Sequence, residues 1–394
     1  MEKLFLKQFL KNISCETFIV KFWDGKEELI GDGDPKFKII FNKPLKKSDI
    51  LHDASLAFGE AYMNGDLDFE GDIQEILESI YKNKDSFLNS NKFIAKLAKL
   101  SSLKGTSLKE QKKDISYHYD LGNDFYSLWL DKTLSYSCGY FKDPNDTLYD
   151  AQMNKVHYIL KKLNLKEGQS LLDIGCGWGY LIIEAAKLYK VHALGITLSN
   201  EQYKKVKERI KEENLEEYVD VKLMDYRDLK NSGFTFNRVV SVGMLEHVGR
   251  ANIPEYLEIV DKILNPHGVF LLHFITGLTE SDGNEWIKKY IFPGGYIPSI
   301  REVVGYFPEH DFNIVDLESL RLHYTKTLMC WKDNFENNLD KVRELFDEKF
   351  IRMWRMYLCS CAASFHYGVV DIHQFLITKG LNNSLPMTRD YLYK

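Results

Sequence analysis

A glycine-rich turn between an apolar run and an amphipathic segment is the feature that most constrains the fold of this chain. Residues 171–174 are apolar apart from Asp173, and three glycines follow at alternate positions: Gly175, Gly177 and Gly179. Apolar residues then recur at helical spacing across residues 181–188. Glycine lets the backbone turn sharply and approach a ligand closely, because it carries no Cβ. The stretch therefore predicts strand, tight turn and helix, which is the opening of an α/β nucleotide-binding unit.

The spacing of these glycines indicates the kind of ligand. It is G-x-G-x-G, whereas dinucleotide-binding turns carry G-x-G-x-x-G and place a pyrophosphate at the helix N-terminus. With Asp173 just before it, the turn resembles the first motif of class I methyltransferases that use S-adenosylmethionine (SAM). SAM has no pyrophosphate, so it does not need the longer turn. An ordinary strand–helix connection is the alternative, and the flanking strand and helix patterns favour the SAM site.

Composition narrows the class of protein. The 394 residues are 44% hydrophobic and 28% charged, as in soluble globular proteins of one large or two ordinary domains. A net charge of −5 gives no reason to expect a nucleic-acid partner. Residues 1–15 lack a signal-peptide core, no stretch has the length of a membrane span, and the six cysteines show no zinc spacing. We therefore expect a cytoplasmic protein with reduced thiols and no metal, which meets membranes only at their surface.

The chain divides into three predicted segments. Residues 1–85 mix strand and helix patterns and predict a small α+β domain for docking or lipid binding. Residues 86–111 place apolar residues at helical spacing among lysines. Such a basic amphipathic linker suits either an anionic bilayer surface or a solvated helix between domains. Residues 112–394 contain the glycine turn and form the third segment.

Strand and helix patterns alternate after the glycine turn begins. Strands are predicted at 170–174, 191–196, 219–223, 237–242 and 268–274, and helices at 178–189, 200–213 and 253–264. Such repeats form a parallel sheet with right-handed crossovers, and ligands bind beyond the carboxyl ends of its strands. Further on, the sequence predicts an aromatic insertion at 276–310, which suits either a pocket for an apolar substrate or a helix and turn packed on the sheet. It then predicts a strand at 312–317, a helical tract at 326–366 and a strand at 372–378.

The end of the second predicted strand departs from the usual methyltransferase pattern. An acid at that place generally binds the ribose hydroxyls of SAM. This chain has Thr197 there, and the nearest acid is Glu201. We therefore expect Thr197 or Gln202 to take over part of that hydrogen bonding.

Several segments together resemble the cyclopropane-fatty-acyl-phospholipid synthase family, which also includes the mycolic acid cyclopropane synthases. The segments are Tyr117–Asn123, Tyr136–Cys138, Leu172–Gly179, Asp225–Leu229, Val242–Gly249 and Trp286–Gly294. They stand in the order and spacing of the family, over about residues 112–380. The first 110 residues fit the architecture of the family's bacterial phospholipid branch, which has an extra N-terminal domain.

The resemblance implies both a fold and an activity. The fold is a class I SAM-methyltransferase, Rossmann-like α/β domain with a mostly parallel seven-stranded sheet, preceded by the small α+β domain. The activity is transfer of a methylene group from SAM to the cis double bond of unsaturated phospholipid acyl chains, which forms a cyclopropane ring with bound bicarbonate as general base. The family also implies a homodimer that associates peripherally with the inner face of the plasma membrane.

The resemblance further implies two sets of site residues. The bicarbonate would be held by Cys138, Glu246, His273, Ile275 and Tyr324. Cys138 and Ile275 would contribute through their backbones. SAM would be bound by Tyr136, Ser137, Asp173, Gly175, Gly177, Gly179, Thr197, Gln202, Asp225 and Tyr226. Without the family pattern, Cys138, Glu246 and His273 would each be interpreted as structural residues.

Two other functions stay open on the sequence. One is a related SAM enzyme that methylates without ring closure or acts on a small molecule. Methyl branching would need a hydride donor, and the sequence shows no second cofactor motif. The other is a non-catalytic lipid-binding protein, against which the intact glycine turn argues.

Overall fold

The computed structural model describes residues 2–11, 16–83, 121–281 and 283–393. The linker predicted at 86–111 and the start of the Tyr117–Asn123 segment lie outside the described residues. The strands found in the described residues are β1 Phe18–Lys21, β2 Glu27–Ile30, β3 Lys38–Phe41, β4 Leu67–Glu70, β5 Ser170–Ile174, β6 His192–Thr197, β7 Val219–Leu223, β8 Phe236–Val242, β9 Leu264–Gly277, β10 Phe312–Ser319 and β11 Val370–Lys379.

The α-helices of the same residues fall before, between and after these strands. They are α1 Glu2–Lys11, α2 Lys47–His52, α3 Ala54–Met63, α4 Ile73–Lys82, α5 Asn123–Trp129, α6 Leu148–Lys162, α7 Tyr180–Tyr189, α8 Asn200–Glu212, α9 Ile253–Ile263, α10 Glu285–Tyr290, α11 Ile300–Gly305, α12 Arg321–Asn337, α13 Leu339–Leu345, α14 Glu348–His366 and α15 Asp390–Tyr393. None of them combines the length and the apolar character needed to cross a membrane.

By its internal contacts the described chain forms two units. The first comprises the described residues of ranges 1–104, 283–293 and 328–369, and the second comprises those of ranges 105–282, 294–327 and 370–394. The sequence had predicted one continuous domain over 112–394. Two stretches of that range instead group with the N-terminal segment, because α14 packs on α3 and α4 and because α10 packs on α3.

The second unit is built on a seven-stranded sheet in the order β10-β11-β9-β8-β5-β6-β7. Neighbours from β9 to β7 run parallel, and β11 runs antiparallel to both β9 and β10. This confirms the predicted mostly parallel sheet. Most residues of β5, β6 and β8 are buried, because both faces of the sheet are covered, whereas buried and exposed residues alternate at the start of the edge strand β7.

Each face of this sheet has its own apolar core. One core packs residues of α6, α7 and α8 against the strands, including Val156, Ile182 and Val206. The other packs α9 and α11 against the opposite face, including Leu257 and Phe274. Burying one such side chain stabilises the fold by roughly 1.5–3 kcal/mol. The two layers fix the carboxyl ends of the strands, where the predicted site residues cluster.

The first unit contains a four-stranded sheet in the order β2-β1-β3-β4. Asp53 is the N-cap of helix α3, and its side chain accepts a hydrogen bond from the Leu56 backbone N–H. Trp286 of α10 packs on this helix, and its indole N–H donates to Met63 Sδ at 3.2 Å. Trp286 belongs to the insertion that the sequence assigned to an apolar substrate pocket. Here it is 3% exposed and serves the packing of the first unit.

Substitution of Gly59 by alanine is expected to destabilise this unit. An added Cβ would lie 2.3 Å from Cδ1 of Trp286, so the buried ring would have to move. Overpacking of this kind costs about 1–3 kcal/mol. Urea denaturation followed by tryptophan fluorescence measures the loss. The matched control is Gly305→Ala, at an exposed helical glycine with open space around its Cβ position. Equal midpoints for the two variants would contradict this account of the packing.

Candidate functional site

A cavity lies at the carboxyl ends of the parallel strands of the second unit. Its lining comes from the turns after β5, β6, β7 and β8 and from the segment before α6. Eight of the ten residues predicted to bind SAM line it: Tyr136, Ser137, Asp173, Gly175, Gly177, Thr197, Gln202 and Tyr226. The position agrees with the general rule for open α/β sheets.

The glycine turn has the backbone that its sequence required. All three glycines have positive φ, at +83° for Gly175, +53° for Gly177 and +78° for Gly179. The backbone N–H groups of Gly175 and Cys176 both donate to the Ile196 carbonyl at 3.0 Å. Gly179 lies behind the lining at the N-cap of α7, where an added Cβ would come within 2.7 Å of Val206. Its role is therefore to let the helix pack.

The turn after β6 has Thr197 and Gln202 at the place where other SAM-binding sites have an acid that binds the ribose. Thr197 Oγ1 donates to Gln202 Oε1 at 2.6 Å and accepts from the Ser199 backbone N–H at 3.1 Å. Because the amide oxygen of Gln202 is used in this way, its NH₂ group remains available for a ligand oxygen. A hydroxyl and an amide thus stand where a carboxylate is usual.

Asp225 lies just outside the cavity lining. Arg227 donates to both of its carboxylate oxygens, each at 2.8 Å, and the side chain also caps the short helical turn at 226–231. Its neighbour Tyr226 reaches the lining. The structure therefore places Asp225 as the support of this turn, and Tyr226 and Arg227 as the side chains that face the cavity.

A buried lysine in the lining was missed by the sequence analysis. Lys155 of α6 is 4% exposed, and its Nζ donates to Ser137 Oγ at 2.8 Å. Burial lowers the pKa of Lys155 to about 8, and the acids nearby, Asp131 and Asp173, oppose that shift. Burial raises the pKa of Asp173 to about 7, against the effect of Lys155. Asp173 Oδ1 accepts no hydrogen bond from any described residue. The cavity lining therefore contains a buried lysine and a buried aspartic acid near its glycine turn.

Glu246 and Ile275, both predicted to hold bicarbonate, are in direct contact. The Ile275 backbone N–H donates to Glu246 Oε1 at 2.7 Å. The other carboxylate oxygen is buried and has no partner within the described ranges. Burial raises the pKa of Glu246 to about 7, while the bond from Ile275 acts in the opposite direction. Residues 242–244 and His247, which flank Glu246 in the chain, line the cavity.

His273 is completely buried in β9. Neither ring nitrogen has a hydrogen-bond partner among the residues described. Burial, with Lys155 and Lys162 nearby, lowers the pKa of His273 to about 3, so the ring is neutral at physiological pH. The sequence predicted that β9 ends at residue 274, but the strand continues through Gly277. His273 and Ile275 therefore share one face of a paired strand.

Cys138 and Tyr324 meet at a common carbonyl group. The Tyr324 backbone N–H donates to the Leu320 carbonyl at 3.0 Å, and Cys138 Sγ lies 3.8 Å from the same oxygen. Both side chains are buried. Burial raises the pKa of the Cys138 thiol far above its ordinary value, so the thiol stays protonated.

Substitution of Cys138 by alanine is expected to leave turnover within about threefold of the wild type. The protonated thiol is no nucleophile, and the predicted role of this residue uses its backbone. Loss of the buried sulfur should cost about 1 kcal/mol of stability. Steady-state kinetics and thermal unfolding measure the two effects. A tenfold or larger loss of kcat in a folded variant would assign the thiol a part in catalysis.

Comparison with known proteins gives consistent matches. The family described as Mycolic acid cyclopropane synthetase matches residues 106–375, and a domain of unknown function matches residues 5–92. The chain is 38% identical to a probable fatty acid methyltransferase of Pseudomonas putida over 392 residues, covering 95% of this chain and 96% of the relative. It is also 38% identical to the cyclopropane-fatty-acyl-phospholipid synthase of Escherichia coli (strain K12) over 350 residues, covering 86% and 87%.

A solved structure matches about two thirds of the chain in three dimensions. Mycolic acid cyclopropane synthase CmaA1, crystallised as a complex with SAH and CTAB, aligns with a TM-score of 0.64 at 33% identity. The alignment covers 68% of this chain and 98% of that structure. The fold and the sequence motifs therefore point to the same group of proteins.

Proposed function

The chain belongs to the mycolic acid cyclopropane synthetase family and is a SAM-dependent enzyme, and on this basis we propose that it converts the cis double bonds of unsaturated phospholipid acyl chains into cyclopropane rings. The phospholipid substrate is proposed because the Escherichia coli relative carries that activity in its name. The proposal includes bicarbonate as the general base.

The observation that supports this proposal is a set of buried polar atoms, on Glu246 and His273, that have no hydrogen-bond partner in the described part of the chain. Glu246 Oε2 and both ring nitrogens of His273 are buried without partners among the described residues. Burial of polar atoms without partners costs roughly 1–3 kcal/mol each, so such atoms indicate a polar ligand. A planar ion with both donor and acceptor oxygens fits this set. The residues that would hold bicarbonate are Glu246 and His273 by side chain, Cys138 by backbone, and Tyr324.

Ile275 has a specific place in this arrangement. Its N–H donates to Glu246, so it would hold the carboxylate of Glu246 in place rather than bind the ion alone. Neutral His273 has one donor and one acceptor nitrogen. When bound, bicarbonate would supply the base that accepts a proton from the substrate.

The reaction sets two demands on the protein. The π electrons of the alkene form a bond to the methyl carbon of SAM, the S–C bond breaks, and S-adenosylhomocysteine leaves. A proton is then removed from the new methyl group, and its C–H electron pair closes the ring. The first step needs close positioning of a weak nucleophile in a dry site, and the second needs a base held near the new methyl group. The buried lining described above supports both demands.

The proposal also covers the membrane association and the oligomeric state of the enzyme. We infer a peripheral association with the inner face of the plasma membrane and a homodimer, both from the family resemblance. Docking or lipid binding by residues 1–85 stays a prediction.

The test uses purified full-length protein, SAM and vesicles of a monounsaturated phospholipid. Mass spectrometry of the acyl chains should show the gain of one CH₂ group together with loss of the olefin. Removal of bicarbonate by sparging with CO₂-free gas should lower the rate, and added bicarbonate should restore it. Gain of CH₂ with the olefin retained would instead establish methylation without ring closure. SAM binding without any lipid product would overturn the phospholipid substrate.

A further inference from the structure

A row of polar side chains crosses three neighbouring strands beside His273. Glu318 of β10 pairs with Gln374 of β11, and Gln374 pairs with His273 of β9. Residues directly opposite each other on antiparallel strands point to the same face, with Cβ atoms about 5 Å apart. The three side chains therefore form one line that ends at His273.

A buried lysine fixes the orientation of the central amide. Lys162 of α6 is 1% exposed. Its Nζ donates to Glu318 Oε2 at 2.5 Å and to Gln374 Oε1 at 2.8 Å. An ammonium group has donors and no acceptor. The oxygen of the Gln374 amide must therefore face Lys162, and its NH₂ group must face away from that lysine.

The NH₂ group of Gln374 has no partner in the described parts of the chain. The side chain is 1% exposed, so water does not readily satisfy it. His273 stands directly opposite on the neighbouring strand, with both ring nitrogens equally without a described partner. An amide N–H can donate only to the unprotonated nitrogen of a neutral imidazole. A hydrogen bond donated by Gln374 to His273 would give the amide N–H and one ring nitrogen a partner at once.

We propose that Gln374, oriented by Lys162, is a positioning residue that selects the tautomer of His273. The ring nitrogen nearer to Gln374 accepts the amide N–H, so the proton resides on the other nitrogen. The donor of His273 is thereby fixed on the side of the ring away from Gln374. The significance of this for catalysis rests on the proposed function, in which His273 helps to hold the base. The tautomer itself can be measured without any assumption about bicarbonate.

The experiment is NMR of the full-length protein labelled with ¹⁵N at its histidine rings. Long-range ¹H–¹⁵N correlations distinguish the two neutral tautomers and the charged form. His273 is assigned by the signal that disappears in His273→Gln. We expect a single neutral tautomer in the wild type. In Gln374→Glu, a carboxylate paired with Lys162 has only acceptors, so His273 should adopt the opposite tautomer. The same tautomer in the wild type and in Gln374→Glu would overturn the proposal.

Two further variants separate positioning from simple loss of folding. Lys162→Arg keeps a donor-only cation and should retain the wild-type tautomer, whereas Gln374→Met removes the amide and should give a mixture of tautomers. The matched control is Gln74→Met, at another buried glutamine, in the first unit. Retention of a single tautomer in folded Gln374→Met would also contradict the proposal.

Kinetics distinguish this inference from the proposed function. Gln374→Met should lower kcat about tenfold while KM for SAM stays within about twofold, because the change acts on the base and not on the cofactor. An unchanged kcat in Gln374→Met would contradict the positioning role. If the tautomers respond as expected while the rate does not depend on bicarbonate, the positioning of His273 stands and the proposed base fails.

Discussion

Glu246→Gln is expected to lower kcat by roughly 10²- to 10³-fold while the Kd for SAM stays within about threefold. The size follows from the usual contribution of general acid–base catalysis. Glutamine keeps the oxygen that accepts from the Ile275 N–H, so the local fold should persist. What it loses is the titratable, unpartnered oxygen, which in the proposed mechanism binds the base.

The same substitution should change stability with pH. The pKa of Glu246 is raised to about 7 in the folded protein, against an ordinary value of 4.5. The folded state therefore binds this proton more tightly than the unfolded state does. The wild type loses stability as pH rises from about 4.5 to about 7, by about 3 kcal/mol in total for this group. Glu246→Gln has no titrating group at this position and does not lose this stability. The difference in unfolding free energy between the variant and the wild type should therefore grow, in favour of the variant, across this pH window.

Isothermal titration calorimetry with SAM, turnover assays and denaturant unfolding at several pH values check these effects. Comparison with the wild type isolates Glu246, because Asp173, whose pKa is also raised to about 7, is common to both proteins. The control is Glu167→Gln at an exposed position, which should change neither property. Normal turnover in Glu246→Gln would contradict the assigned role.

Lys155→Met is expected to weaken SAM binding by about 10- to 100-fold. Hydrogen bonds to charged groups contribute roughly 1.5–3 kcal/mol. The methionine portion of SAM carries a carboxylate, and Lys155 is a buried cation in the cavity lining that also holds Ser137. Its removal would also leave the Asp173 carboxylate without the nearby positive charge that favours its ionised form.

Calorimetry measures the affinity of this variant, and thermal unfolding shows whether it folds. Lys166→Met, at an exposed lysine just after the same helix, is the control and should bind SAM normally. If Lys155→Met unfolds, Lys155→Arg should keep the charge and recover most of the affinity. Wild-type affinity in folded Lys155→Met would show that this lysine serves the fold alone.

The sequence predicted the sheet of the second unit well because its strands are apolar and its glycine turn is unambiguous. The bounds of β5 and β7 agree with the predictions, and the others differ by a few residues. Helix α6 was not predicted. Its buried side carries Gln152, Lys155 and Lys162 among apolar residues, so the pattern of an amphipathic helix is broken where polar groups face the interior.

The long helical tract at 326–366 was predicted as one piece. It is three helices, α12 to α14, interrupted near Asn338 and Asp347. The Asp347 side chain caps α14 by accepting from the Phe350 backbone N–H, a signal that the sequence does contain. Of the site, the glycine turn could be inferred from residues alone. Thr197 and Gln202 were inferred from their place after the second predicted strand. The remaining residues were identified by resemblance, because their contacts join segments far apart in the chain.

His273 and Ile275 lie in a strand that is hydrogen-bonded on both sides, and this limits the sequence changes that the strand can accept. Both lie within β9, which is flanked by β8 and β11. An insertion or deletion of a single residue in this strand would turn the imidazole to the opposite face of the sheet. The positions of His273 and Ile275 are therefore better suited to exchange of side chains than to changes of chain length. Changes of length are tolerated more readily in the connections between strands, which no strand pairing constrains.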